Sequence, residues 1–204
     1  MSDEVRSELR ELGASDRLVG QMGAAADAFA HGRDREATRI LRPVRDALPD
    51  AASVRELLGL AQYRLGNYGA AVRELEAYRN LTESTDQHPV LMDCYRARRR
   101  WKKVEDLWAE LGAASPSAAL VTEGRIVAAG ALADRGRLDD ALALLRRRAD
   151  DVRRPRDHHL RLWYALADLE ERAGNHARAR ALFARIARRA PDFADVGERR
   201  RALG

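Results

Sequence analysis

The stretch HGRDREATRIL, residues 31–41, is answered by GNYGAAVREL, residues 66–75, so that Gly32, Ala37 and Leu41 recur as Gly66, Ala71 and Leu75, each 34 residues on. A fixed period of this size means stacked copies of one supersecondary unit, and it constrains the fold more than any single motif does. Three further phrases keep the frame. RRRWKKVEDLW (98–108) sets Arg99, Trp101, Val104 and Trp108 in the same slots, RGRLDDALALL (135–145) sets Gly136, Leu138, Ala141 and Leu145, and AGNHARARALF (173–183) sets Gly174, His176, Ala179 and Phe183. The turn position advances by 34, 33, 37 and 38 residues, and the longer steps place inserted residues in LGAASPSAAL and RRPRDHH.

Each slot has a physical reason. Glycine can take the left-handed backbone conformation that ends a helix. A small residue such as Ala37, Ala71, Ala141 or Ala179 lets two helices approach closely, and a bulky residue four positions later fills the next groove. Composition agrees: 46% hydrophobic residues supply a core, aromatics are only 5%, and Ala, Leu and Arg, all strong helix formers, dominate. The expected fold is all-α, with helix pairs whose apolar edges are covered only by stacking, an α-solenoid.

The pattern resembles the tetratricopeptide repeat (TPR) family, whose signature is Trp, Leu-Gly and Tyr on a first helix, then Ala, Phe and Pro on and after a second. Trp163, Leu166, Ala167, Ala179, Phe183 and Pro191 fill those slots in the last repeat; Leu58 and Gly59 match the Leu-Gly pair, Tyr95 the Tyr slot, and Pro49 and Pro116 the closing proline. Arg99 stands where a turn glycine is expected, Glu83 and Arg153 where a closing proline is, and Ala25 where the first repeat has its glycine. The resemblance implies an N-terminal capping helix in 1–15, five repeats over 16–192 (about 16–51, 52–84, 85–118, 119–156 and 157–192) and a C-terminal capping helix in 193–204. Pro89 is expected in the first turn of its helix, where its missing N–H costs nothing. Pro43, between Leu41 and Val44, is expected to bend or break the second helix of repeat one, because an interior proline costs about 3 kcal/mol.

Chemistry that needs a dense constellation is hard to write on this chain. The five histidines, His31, His88, His158, His159 and His176, include no i, i+4 pair with a carboxylate between; the tandem His158 and His159 are expected to face different ways on a helix, and all five are expected at the surface or in turns. A lone Cys94 excludes an internal disulfide and reads as a small buried hydrophobe. The glycines lie singly at turns and form no phosphate loop, while the adjacent carboxylates Asp139 with Asp140, and Glu170 with Glu171, read as solvated faces. No catalytic residue, metal ligand or cofactor is expected. The charged N-terminus and the absence of any apolar run near 20 residues point to a soluble protein with no membrane partner, and the single cysteine to a reducing cytoplasm.

What remains is binding. The resemblance places the first helix of each repeat on the inner, concave groove, which maps Val19, Met22, Ala26 and Phe29 onto repeat one, Glu56, Leu60 and Tyr63 onto repeat two, and Asp93 and Arg96 onto repeat three. Glu123 and Ile126 follow in repeat four, and Arg161, Tyr164, Asp168 and Glu171 in repeat five. A peptide or protein with apolar anchors and basic flanks fits such a face, and Leu60, Tyr63, Asp93, Arg96, Ile126, Tyr164, Asp168 and Glu171 are its candidate contacts. Val19, Met22 and Phe29 are alternatively covered by the N-terminal helix or by a second copy of the chain, giving a homodimer. Where some members carry a Lys and Asn clamp for a C-terminal carboxylate, this chain has Met22, Ala26 and Glu56, so that mode is not implied.

A second reading starts from charge. The basic residues are 35 Arg and two Lys; residues 1–95 hold 12 of them against 16 acids and residues 96–204 hold 25 against 16. Arg98, Arg99, Arg100, Lys102 and Lys103 form the densest run, and Arg146 to Arg148, the RRPR of 153–156 and the arginines of 178–201 extend it, which would suit nucleic acid or an acidic protein. Against this, aromatics do not interleave with the charges as base stacking requires, and Glu105, Asp106, Asp150 and Asp151 lie close enough in sequence to pair with them. The Arg-over-Lys usage is that of a GC-rich, bacterial, actinobacterial-like member of the family.

Overall fold

The computed structural model describes residues 1–150 and 152–203; Asp151 and Gly204 lie outside the described residues. Among the described residues there are twelve α-helices and no strand, and helix-turn-helix repeats of an all-α solenoid account for them. The chain divides into two compact units, Met1–Arg100 and Trp101–Gly204. The N-terminal unit holds α1 (Asp3–Glu11), α2 (Asp16–Ala30), α3 (Asp34–Ala47), α4 (Ala52–Arg64), α5 (Tyr68–Thr82) and α6 (His88–Ala97). The C-terminal unit holds α7 (Trp101–Ala114), α8 (Ala118–Asp134), α9 (Leu138–Arg146), α10 (Asp157–Arg172), α11 (His176–Arg189) and α12 (Val196–Ala202).

Within the N-terminal unit α2 pairs with α3 and α4 with α5, α3 packs on α4 and α5 on α6, and α1 covers one end of α2. Within the C-terminal unit α8 pairs with α9 and α10 with α11, α7 lies on α8, and α12 lies on α11. The division falls in the turn of the third repeat, so α6 and α7 belong to different units. It also changes the charge account. Cut at this boundary, the N-terminal unit has 16 Arg against 16 acids and is neutral, and the C-terminal unit has 21 Arg plus Lys against 16, the whole +5 of the chain.

One turn closes the first helix of every pair. Gly66 sits at φ +73, its N–H bonds to the Tyr63 carbonyl at 2.9 Å and that of Asn67 to the Gln62 carbonyl at 2.9 Å, which caps the orphaned carbonyls of α4. The same two bonds recur around Gly13, Gly32, Gly136 and Gly174. Arg99 makes them too, at φ +56, so the third repeat keeps the turn at the strain a side chain incurs there. The turn asparagines add a second tie: Asn67 Nδ2 donates to Gln62 and Asn175 Nδ2 to Glu170, each at 2.9 Å.

Two sequence expectations about proline part company. Pro89 lies in the first turn of α6 as expected. Pro43 does not break its helix: α3 runs from Asp34 to Ala47 with Pro43 inside. Pro43 and Arg39 are both exposed, so the proline ring and the residue whose carbonyl loses its amide partner lie on the solvent side of α3, where water can replace the missing bond.

The core follows the repeat slots. Ala37, Ala71, Ala141, Ala179, Leu41, Leu75, Leu145 and Phe183 are all buried, as is Trp163. Val19 and Met22 are buried in a cluster with Leu9 of α1, Leu41 and Val44, so the N-terminal helix covers them. Phe29 is half-buried beneath Arg64, whose guanidinium lies 3.6 Å from the ring centroid and donates to the Phe29 carbonyl at 2.9 Å. One carboxylate departs from expectation. Glu170 is not on a solvated face but buried, held by both Nε and Nη2 of Arg146 at 2.9 Å. Glu74 is likewise buried between Arg45 and Arg55, each at 2.7 Å, so one acid ties α3, α4 and α5 together.

A Cβ on Gly59 would stand 2.7 Å from Cγ and Cδ2 of Leu75, closer than packed atoms come. Gly59→Ala is therefore expected to lose about 1 to 3 kcal/mol. Gly112→Ala, at a helical position with nothing within 4 Å, should gain up to about 1 kcal/mol. Urea denaturation of both variants checks this, and equal midpoints would mean that Leu75 steps aside without cost.

Candidate functional site

The expected groove residues fall into two groups, one in each unit. In the N-terminal unit, Tyr63 from α4 donates to Asp93 Oδ2 of α6 at 2.8 Å, and Arg96 one turn further on pairs with Asp93 Oδ1 at 3.3 Å. The Tyr63 ring lies 6.1 Å from that of Tyr68, and Leu60, one helical turn before Tyr63, is half-buried. Burial, then Asp93, raises the pKa of the Tyr63 phenol, so it remains a hydrogen-bond donor at any physiological pH. Leu60, Tyr63, Asp93 and Arg96 thus lie on two successive first helices, α4 and α6, which touch.

In the C-terminal unit, Tyr164, Asp168 and Glu171 of α10 already have an occupant from their own chain. Arg199 of α12 bonds Asp168 at 3.0 Å and Glu171 at 2.8 Å, and Tyr164 donates to Asp195 just before α12. The Arg199 guanidinium also lies 5.0 Å from the centroid of Phe183. Burial alone would lower the pKa of Arg199, but its bonds to Glu171 and Asp168 outweigh that and raise it. Arg161 is matched in the same way by Glu123, at 2.6 Å. Ile126 is half-buried and packs against the core of this unit.

The basic run divides with the chain. Arg98, Arg99 and Arg100, all exposed, close the N-terminal unit. Lys102 and Lys103, also exposed, open the C-terminal unit, and Lys102 pairs with Asp106 at 2.8 Å. Further along, several arginines hold structure instead of forming a free face: Arg185 donates to the Ala149 carbonyl, Arg189 to that of Arg153, and Arg199 is engaged as above.

Two clefts in the C-terminal unit were missed as sites. Trp101 and Trp108, assigned to packing slots, are only half-buried and line a cleft of about 300 Å³ with Val104, Leu132 and Leu144. Their spacing of two helical turns on α7 was the available signal. A second cavity, of about 450 Å³, gathers Arg125, Arg148, His158 and His159 from three separate segments, which no local pattern announces. The tandem histidines do not diverge as expected, their ring centroids being 4.0 Å apart, and His88, expected at the surface or in a turn, is buried at the start of α6. Among the described residues no three His, Cys, Asp or Glu side chains group as metal ligands, and no helix is long and apolar enough to cross a membrane. Cys94 is fully buried, and burial, then Asp93, pushes its thiol up to about 12.

The tetratricopeptide-repeat family pattern matches residues 160–200. Among solved structures, a thermophilic TPR protein of Thermus thermophilus is similar over 91% of this chain and 98% of its own, at 18% identity and a TM-score of 0.67. The MamA RS-1 double mutant is similar over 88% and 99%, at 16% identity and a TM-score of 0.64. YrrB, a TPR protein with an unusual peptide-binding site, is similar over 97% of both chains, at 15% identity and a TM-score of 0.54. No curated protein matches this sequence. The chain has a TPR-like all-α solenoid fold. TPR-fold proteins generally act as protein–protein interaction scaffolds, and the two first-helix faces are where this chain differs between its halves.

Arg199→Ala is expected to lower stability by about 1 to 2 kcal/mol, the range for charge-assisted bonds discounted for the partial exposure of both carboxylates. Salt should shrink the difference in urea midpoints, and an unchanged midpoint would mean that α12 is held by its buried Val196 alone. The Cys94 thiol should stay inert to alkylation at pH 8 in the folded protein and react on unfolding; native-state labelling would contradict its burial.

Proposed function

We propose that this chain is a non-enzymatic, cytoplasmic scaffold of bacterial origin that takes a peptide or protein partner on the first-helix face of its N-terminal unit. The observation that carries the proposal is the contrast between the two faces. Leu60, Tyr63, Asp93 and Arg96 combine an apolar side chain with an aligned hydroxyl, carboxylate and guanidinium, whereas the equivalent polar groups Tyr164, Asp168 and Glu171 are engaged by α12. A partner with a basic or hydroxyl-bearing side chain beside an apolar anchor suits the N-terminal face, with Asp93 as acceptor and Tyr63 as the rigid aromatic contact.

The alternative partner is nucleic acid or an acidic protein bound through Arg98, Arg99, Arg100, Lys102 and Lys103. Its support is that Arg98, Arg99 and Arg100 are exposed with no carboxylate partner among the described residues. Such binding falls steeply with salt.

Affinity capture at low and high salt, with and without nuclease, separates the two readings. Wild type is compared with Tyr63→Ala and with a variant carrying Ala at Arg98, Arg99 and Arg100, and any captured protein is purified and rebound. Rebinding that survives nuclease and the arginine changes but drops about tenfold or more with Tyr63→Ala is the expected result, the usual cost of an aromatic contact. Capture lost with nuclease or with those arginines overturns the face reading. Arg99→Gly is a clean control: it removes one cation and should add about 1 kcal/mol of stability by relieving the left-handed strain, read as a higher melting temperature.

A further inference from the structure

The second cavity of the C-terminal unit is built from four segments. Ser115 and Ser117 come from the α7–α8 loop, Thr122 and Arg125 from the first turns of α8, Arg148 and Asp150 from the α9–α10 loop, and His158 and His159 from the start of α10. The N-termini of two long helices, α8 with 17 residues and α10 with 16, both open on it. Helix N-termini present unpaired N–H groups and a partial positive charge.

Its arginines are the anomaly. Arg125 is half-buried in α8, its guanidinium 5.5 Å from the Trp108 ring centroid, and neither it nor Arg147 nor Arg148 has a carboxylate partner among the described residues. Charges of similar or deeper burial elsewhere in the chain are tied: Glu74 has two arginines, Glu170 has Arg146, Arg199 has two carboxylates, and Arg185 has the Ala149 carbonyl. Withdrawing a guanidinium from water without a counter-charge is costly; here that cost falls on Arg125, with Arg147 and Arg148 exposed beside it. The surroundings carry the same sign. Burial, then Arg148 and Arg147, lowers the pKa of Arg125; burial, then His159 and Arg156, lowers that of His158, and there only Asp157 acts the other way. Among the described residues Asp150 is the one carboxylate on the cavity wall.

We propose that this cavity is a binding site for a phosphate monoester dianion, with Arg125 and Arg148 as its counter-charges. Donors approach from several directions: two guanidiniums on different segments, the Ser115 and Ser117 hydroxyls and an imidazole. A tetrahedral oxyanion uses such a spread, whereas a planar carboxylate is satisfied by one fork. His159 Nδ1 accepts the Arg156 amide at 3.0 Å, which leaves the proton on Nε2 and makes that ring a donor. The site lies apart from Leu60, Tyr63, Asp93 and Arg96 and is independent of the function proposed for them.

The test is calorimetric titration of the full chain with inorganic phosphate, O-phosphoserine, and a phosphoserine peptide beside its unphosphorylated twin, at fixed ionic strength and pH 7.5. Wild type should bind the phosphorylated probes, Arg125→Gln with Arg148→Gln should weaken binding about tenfold or more, and Asp150→Asn should tighten it a few-fold, in line with the strength of charge-assisted contacts. Thermal melts in phosphate against chloride give a second readout. General salting raises all variants alike, while site occupancy raises only proteins that keep the arginines. If the double variant does not fold, Arg148→Gln alone, on an exposed loop position, carries the test. Tighter binding of the phosphopeptide than of free phosphate assigns the site to a phosphorylated protein; equal binding assigns it to small phosphomonoesters. No binding by wild type at about 10 mM, or equal binding by the arginine variants, overturns the proposal, since a specific charged site should retain at least millimolar affinity.

Discussion

Everything in this structure depends on two helices being allowed to touch where one residue has almost no side chain. Gly59 lies so near Leu75 that even a methyl group would overlap it, and Ala25, Ala37, Ala71, Ala141, Ala167 and Ala179 occupy related positions with no exposed surface. Close approach turns a modest supply of large hydrophobes into a continuous core. With only 5% aromatics, the chain cannot fill wide gaps, so it narrows them instead. The left-handed turn serves the same end, returning the chain at once so that the second helix starts against the first. Arg99 shows how strongly that turn is enforced, because the backbone adopts it where no glycine relieves it.

Once the helices are stacked, their polar ties decide which faces remain available. Successive first helices within a unit are joined by side chains, Tyr63 to Asp93 and Arg161 to Glu123, and Tyr164 is joined to Asp195 beside the terminal helix. Apart from Asp195, these are residues that the resemblance assigns to the concave groove, and in the folded chain each already has an intramolecular bond. A ligand on such a face therefore replaces bonds instead of meeting free groups, and its net gain is what remains after the exchange. The cost differs between the halves. On the α4–α6 face one carboxylate serves a tyrosine and an arginine, whereas on α10 a single arginine bridges two carboxylates and packs on Phe183 as well. The second arrangement is the harder to displace.

The helix pairs, their turns and the buried slots were legible in the sequence because they obey a period, and the physics of close approach and left-handed caps repeats with it. Pro89 was legible for a local reason, since the first turn of a helix needs no N–H. The break expected at Pro43 does not occur, because the cost of an interior proline depends on its surroundings, and the solvent exposure of Pro43 and Arg39 is a tertiary fact. Glu170 was misread for a similar reason: adjacency to Glu171 says that the two point apart, but not which of them points inward. The first-helix residues could be mapped by register, yet their occupation by Asp195 and Arg199 depended on where the terminal helix lies. The cavity around Arg125 had no sequence signal, because its walls come from segments far apart in the chain with no common motif.

Charge completes the picture. The asymmetry that appears when the chain is cut at residue 95 belongs largely to the run ending at Arg100; cut at the boundary between the units, the excess is +5 and lies entirely in the C-terminal unit. Part of that excess is fixed in the fold. Arg185 and Arg189 hold loop carbonyls, while Arg146, Arg161 and Arg199 are matched to carboxylates, each bond fixing a guanidinium in place. Of the arginines with no carboxylate partner among the described residues, Arg125, Arg147 and Arg148 lie together at the α8–α9–α10 junction. A diffuse basic face would favour long polyanions, since each phosphate contributes a little. A compact cluster beside a walled cavity favours a small, highly charged group, because the field is focused where water is partly excluded.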